Sequence, residues 1–164
     1  MGEISLFDKA VIQKHLQRLQ EDTRPLWGTM TAQHMVEHLA ETIKFSNGKK
    51  AVELAIPFEK AERAKTRMLA PEWTMPRAFK AAFIPKEGLP ELQFSSLTTA
   101  IDALFSEIDD FYTFFALDPD ATPTHAYFSN LNKPEWEVSH HKHLAHHFEQ
   151  FEMRDELLVM SYEL

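Results

Sequence analysis

Five of the nine histidines of this 164-residue chain fall within eight positions, in the run HHKHLAHH from His140 to His147. Imidazole serves as a metal ligand, a general base and a pH-sensitive charge, so the run raises all three chemistries. On a helix each residue advances by about 100°, and positions four apart nearly superimpose. Measured from His143, Trp136 then lies at about 20°, His147 at about 40°, His140 at about 60°, Phe151 at about 80° and Leu144 at about 100°. The histidine face is therefore also the apolar face, a placement that random or tag-like histidines would not share. His141, at about 160°, falls outside it, and His146 lies on the flank near Gln150.

Imidazoles turned inward need partners, because an unpaired buried polar ring costs free energy. The pair His143 and His147, at i and i+4, can reach a single metal ion from one helix face. Metalloprotease helices share that spacing, but the glutamate that would act as their base is missing here. Two histidines do not make a tight site, so a third ligand has to come from elsewhere, and His15, His34, His38 and His125 are the candidates. In TAQHMVEHLAETIKFSNG the apolar stripe is Met35, Val36, Leu39 and Ile43. His38 borders this stripe, whereas His34 lies almost opposite its centre. The candidate metal set is thus His38, His143 and His147. Core histidines satisfied by hydrogen bonds, or a pH-responsive surface without metal, are the alternatives.

These side chains need helices to carry them, and the periodicity supplies four long ones. The first spans about Leu6 to Glu21, ended by Pro25 and Gly28 in TRPLWGTM. The second is capped by Thr31 and stopped at Asn47-Gly48. The third opens at Ser95 or Ser96 and continues to about Leu117, with Leu97, Ile101, Leu104, Phe105, Ile108, Phe111 and Phe115 forming a broad apolar face. The fourth starts at Asn132, with Pro134 in its first turn, and ends near Phe151. A shorter helix is expected over Phe58 to Leu69. The stretch APEWTMPRAFKAAFIPKEGLPELQF holds four prolines in 25 residues. An irregular segment of that length inside a small domain is functional or tightly packed. The tail LLVMSYEL suits a docked segment or a short strand. No repeat or linker divides the chain, so a single all-α domain over residues 1–164 is expected.

Composition narrows the function classes. There is no cysteine, which removes disulfides, thiolate ligands and a cysteine nucleophile, and fits a cytoplasmic protein. The net charge of −8 argues against nucleic-acid binding. MGEISLFDKA reads as no secretory signal, and no stretch has the length of a membrane span. Leu6 stands where a myristoylation signal needs serine or threonine. The charge is uneven. Lys60, Arg63, Lys65, Arg67, Arg77, Lys80 and Lys86 make a basic run, which is either a solvated face or an anion contact. Within it Arg77 and Lys80 sit in the irregular segment, where a guanidinium fork or an ammonium could meet an anionic cofactor or substrate over the metal's open position.

LWGTMTAQHMVEHL and the later NKPEWEVSHHKHLAHHFEQF, with MPRAFKAAFIP between them, resemble the DinB/YfiT-like superfamily, in a branch of metal-binding proteins of unknown function. The pattern H-x-x-H-H-x-x-Q-F after an M-x-x-H-L helix carries the likeness, which runs over most of the chain. The resemblance implies a DinB-like four-helix bundle holding one divalent metal through three histidines, which map onto His38, His143 and His147. His140 is not part of the shared pattern and reads as a support for the ligands. The superfamily also implies thiol-dependent transfer, in which the metal activates a low-molecular-weight thiol such as bacillithiol or mycothiol. With no cysteine of its own, the chain would import that thiol.

All-nitrogen ligation suits Zn²⁺ or Ni²⁺, and three imidazoles leave a position open, as in catalytic sites. The expectation is a metal-dependent enzyme acting on a small molecule, either a thiol transferase or a hydrolase that activates water. The alternative is a non-catalytic metal- or ligand-binding bundle of the stress-response kind. Glu37, Glu41 and Gln150 lie on the helices that carry the ligands. An acid or base within reach of the open position would favour the enzyme, whereas a sealed, apolar position would favour the binding bundle. A homodimer is expected by analogy with related bundles.

Overall fold

The computed structural model describes residues 7–80, 85 and 87–153. Five helices follow one another: α1 (Lys9–Leu16), α2 (Ala32–Ile43), α3 (Phe58–Leu69), α4 (Leu97–Leu117) and α5 (Lys133–Gln150). The chain is mostly helical, as its periodicity implies. One feature departs from a purely helical reading. Strands β1 (Thr124–His125) and β2 (Ser129–Asn130) pair antiparallel, with Thr124 opposite Asn130 and His125 opposite Ser129. Strands of two residues carry no alternation that could announce them.

The helix starts follow their caps. Thr31 accepts from His34 N at 3.2 Å, and Ser96 accepts from Thr99 N at 3.1 Å. Asn132 and Glu135 bond each other's backbone N–H reciprocally, at 3.0 and 2.9 Å, and Pro134 fills the first turn. Helix α1 is shorter than its apolar pattern suggests. Beyond Leu16 the amides of Arg18 and Leu19 bond three residues back rather than four, so the helix tightens and ends while Leu19 still reaches the core. At its other end Asp8 accepts from Ala10 N and Val11 N, so the helix starts at Lys9 rather than near Leu6. The tail LLVMSYEL lies outside the described residues.

Burial explains how the helices assemble. Helix α2 packs along α4, and Met35, Val36, Leu39 and Ile43 share one core with Leu104, Ile108, Phe111 and Phe115. Helix α5 packs against α2 and α3 and adds Trp136, Leu144 and Phe148 to that core. Lys142 ties α5 to α3, its Nζ donating to the Met68 and Ala70 carbonyls at 2.6 Å each. A cation on the last carbonyls also offsets the negative end of the α3 dipole.

Between α3 and α4 the described residues form no helix or strand. Helix α2 pins the end of this segment. The Glu37 carboxylate accepts from Gln93 N at 2.8 Å and Phe94 N at 3.1 Å, while Gln33 Nε2 donates to the Phe94 carbonyl at 2.7 Å. His34 Nε2 lies 3.0 Å from the Pro90 carbonyl. The polar side of α2 is thus covered by loop. Among the described residues no helix is long and apolar enough to cross a membrane.

Candidate metal centre

The buried stripe of α2 brings His38 to the edge of the core, facing the last two turns of α5. His38 Nε2 lies 2.9 Å from His143 Nε2, and His147 Nε2 lies 3.0 Å from the same atom. Among the described residues these three form the group whose ligand atoms all fall within 4.8 Å of one another. The other candidates for the third position are engaged elsewhere. His15 Nδ1 donates to the Val11 carbonyl and its ring stacks on Phe148. His34 bonds Thr31 and Pro90, and His125 sits in the hairpin with its Nδ1 accepting from Tyr127 N.

The hydrogen bonds around the cluster fix where the lone pairs are. Gln150 Nε2 donates to the Trp27 carbonyl at 2.9 Å, which leaves Gln150 Oε1 as an acceptor. His147 Nδ1, 2.7 Å from that oxygen, must carry the proton. The neutral ring of His147 therefore presents a bare Nε2 to the cluster. His143 Nε2 has two imidazole neighbours but only one proton or one lone pair to offer, so hydrogen bonding alone cannot satisfy the trio. A divalent cation can. Tetrahedral Zn–N bonds of about 2.0–2.1 Å separate ligand nitrogens by about 3.3 Å, close to the spacing found here.

Electrostatics point the same way. Burial, followed by the charge of His146, lowers the His38 pKa to about 4. Burial and then the neighbouring imidazoles push His143 and His147 well below the ordinary histidine value. Three rings that resist protonation are three available metal ligands. The residues present therefore fit a mononuclear, all-nitrogen divalent site.

Beside the cluster lies a cavity of about 540 Å³, walled by aromatic side chains that include Trp27, Trp73 and Phe128. Among the described residues no aspartate or glutamate lines it. Glu37 is occupied with the Gln93 and Phe94 amides, and Glu41 pairs with Lys44 and Lys50. Of the three polar candidates on the ligand helices, only Gln150 lines the cavity, and it orients His147. Arg77 and Lys80 both line the cavity. The Arg77 guanidinium stacks 4.1 Å from the Trp27 ring centroid and bonds Glu149 Oε1 at 2.8 Å. That ion pair is exposed on both sides, so it holds Arg77 only weakly in place, by about 0–1 kcal/mol.

His140 does not support the ligands as expected. Its Nε2 bonds Ser46 Oγ at 2.7 Å, and its ring stacks between Phe7 and Trp136. His146 packs edge-on against Trp27 and against His147. The sequence reading missed Trp27 and His125 as cavity residues, since neither lies on a ligand helix. No family model, no curated protein and no solved structure matches this chain, so the likeness to the DinB/YfiT-like superfamily rests on its motifs alone.

Proposed function

We propose that the chain is a metal-dependent enzyme of the DinB type, a four-helix bundle that uses His38, His143 and His147 to hold one divalent ion, Zn²⁺ or Ni²⁺, and transfers a small-molecule thiol. The observation that carries this reading is the meeting of three Nε2 atoms, one of them bared by the Gln150–Trp27 relay. When bound, the metal would supply a Lewis acid that lowers the pKa of a thiol or of water at its open position. Gln150 holds the His147 tautomer, and the aromatic walls give the site an apolar lining. Arg77, on the rim, offers its fork to a carboxylate on an incoming thiol.

The lining favours thiol transfer over hydrolysis. A thiol needs only to lose its proton to become a strong nucleophile, whereas hydrolysis also draws on a general acid for the leaving group. No carboxylate among the described residues lines the cavity to supply that acid. The same lack of a carboxylate also favours a second reading, a non-catalytic metal- or ligand-binding bundle.

The test is alkylation of 2-mercaptoethanol by chloroacetamide at pH 7, with metal-loaded protein, metal-free protein and the H143A variant. Acceleration by the loaded protein alone is the expected result. Full metal loading without acceleration would leave the binding bundle in its place.

A further inference from the structure

Two histidines that the metal cluster does not use line the same cavity, His125 from β1 and His140 from α5. Both rings pack on Trp136, with centroids 5.2 and 5.1 Å from it, both line the cavity, and His125 is near enough for its charge to act on His140. Among the described residues, each has one ring nitrogen bonded to protein and one without a partner. Tyr127 N donates to His125 Nδ1 at 3.0 Å, so that nitrogen carries the lone pair and the His125 proton sits on Nε2.

The His140 tautomer follows from Ser46. The Ser46 hydroxyl lies 2.8 Å from the Ile43 carbonyl and 2.7 Å from His140 Nε2. A carbonyl can only accept, so the single hydroxyl proton goes to Ile43. His140 Nε2 must then donate to Ser46 Oγ, and His140 Nδ1 is left as an acceptor. Burial holds both rings uncharged, with the pKa of each lowered to about 3. Among the described residues the only polar side-chain atom sealed from solvent without a partner is His15 Nε2. The unpaired nitrogens of His125 and His140 are therefore not sealed, and the space that both rings border is the cavity.

We infer that His125 Nε2–H and His140 Nδ1 form a donor–acceptor pair that binds a neutral group able both to accept and to donate, a carboxamide or a hydroxyl, on an otherwise apolar ligand. An amide-bearing or hydroxyl-bearing body satisfies both nitrogens, while a hydrocarbon leaves both unpaired. A site built on such a pair discriminates strongly, because the missing group strands buried polar atoms. The inference concerns the same cavity as the thiol-transfer reading but does not need the metal.

Benzamide and toluene are suitable probes, matched in ring and differing in the group at issue. Long-range proton–nitrogen spectra of the metal-loaded protein would be followed during titration with each. Benzamide should bind about tenfold or more tightly than toluene, as expected for one to two added hydrogen bonds, and should shift His125 Nε2 and His140 Nδ1. H125F keeps the ring and removes the donor. It should bring benzamide down to the toluene level while metal content stays whole. Equal binding of the probes, no binding of benzamide, or a preference that survives in H125F would overturn the inference. A protein that holds no metal yet prefers benzamide keeps this inference and loses the metal reading. One that holds metal without the preference does the reverse.

Discussion

The centre of this protein depends on which ring nitrogen carries a proton. The His38, His143 and His147 rings converge through Nε2, and alanine at any of the three should remove most of the bound metal, as read by elemental analysis of the purified variants. H141A should keep it, since His141 is not among the three converging rings. Full metal in H38A would remove the cross-helix site. Gln150 gives a finer test, because it touches the cluster only at His147. Replacing it by leucine leaves the Nδ1–H without an acceptor, and loss of such an orienting partner typically weakens metal affinity about 10–100-fold. Competition against a chromophoric chelator reads that change, and an unaltered affinity would mean that His147 needs no orientation.

Elements set the distances that residues then use. Helix α5 carries both His143 and His147, so its start has to be fixed for the pair to meet His38. Asn132→Ala removes the side-chain half of the capping box, the acceptor for Glu135 N, and should destabilise the protein by about 1 kcal/mol, seen as an earlier urea midpoint at constant slope. The turn after α2 is stricter. Gly48 sits at φ +82°, and a Cβ there would come within 2.8 Å of the Phe114 ring. Gly48→Ala should therefore cost more than the cap, on the order of 2 kcal/mol or above, from a left-handed backbone and a ring that must move. Equal midpoints for the two variants would contradict this ranking.

At the scale of the whole molecule, the buried imidazoles make stability depend on pH. His125 and His140 are held at about 3 and His38 at about 4, against an unfolded value of 6.5. Between those limits the unfolded chain binds protons that the folded chain refuses, so stability is full above about pH 6.5 and falls as the pH drops. Each such group contributes a slope of up to about 1.4 kcal/mol per pH unit. In the metal-free protein the urea midpoint should fall steeply from pH 7 to pH 5, and H125F should flatten the fall. A midpoint that does not move would mean that these rings are wet. With metal bound, the same depressed values should let the ligands keep the ion to a lower pH than ordinary histidines would, below about pH 6.

Local chemistry made much of this legible in the sequence. The caps Thr31, Ser96 and Asn132 marked where helices begin, because a side-chain oxygen satisfies amides only two or three residues away. The i, i+4 spacing of His143 and His147 put two ligands on one face, and the stripe of α2 separated His38 from His34. The absence of cysteine left nitrogen as the ligand. What the sequence left open involves partners far apart along the chain. His38 meets His143 across 105 positions, and Gln150 reaches Trp27 across 123. Ser46 claims His140 across 94, which took it away from the ligands it was expected to support. The carboxylates of Glu37 and Glu41 went to loop amides and lysines rather than to the cavity, and Arg77 came to rest on Trp27. Periodicity reports which face of a helix is apolar, but only the packing of one face on another decides which polar groups at its border meet.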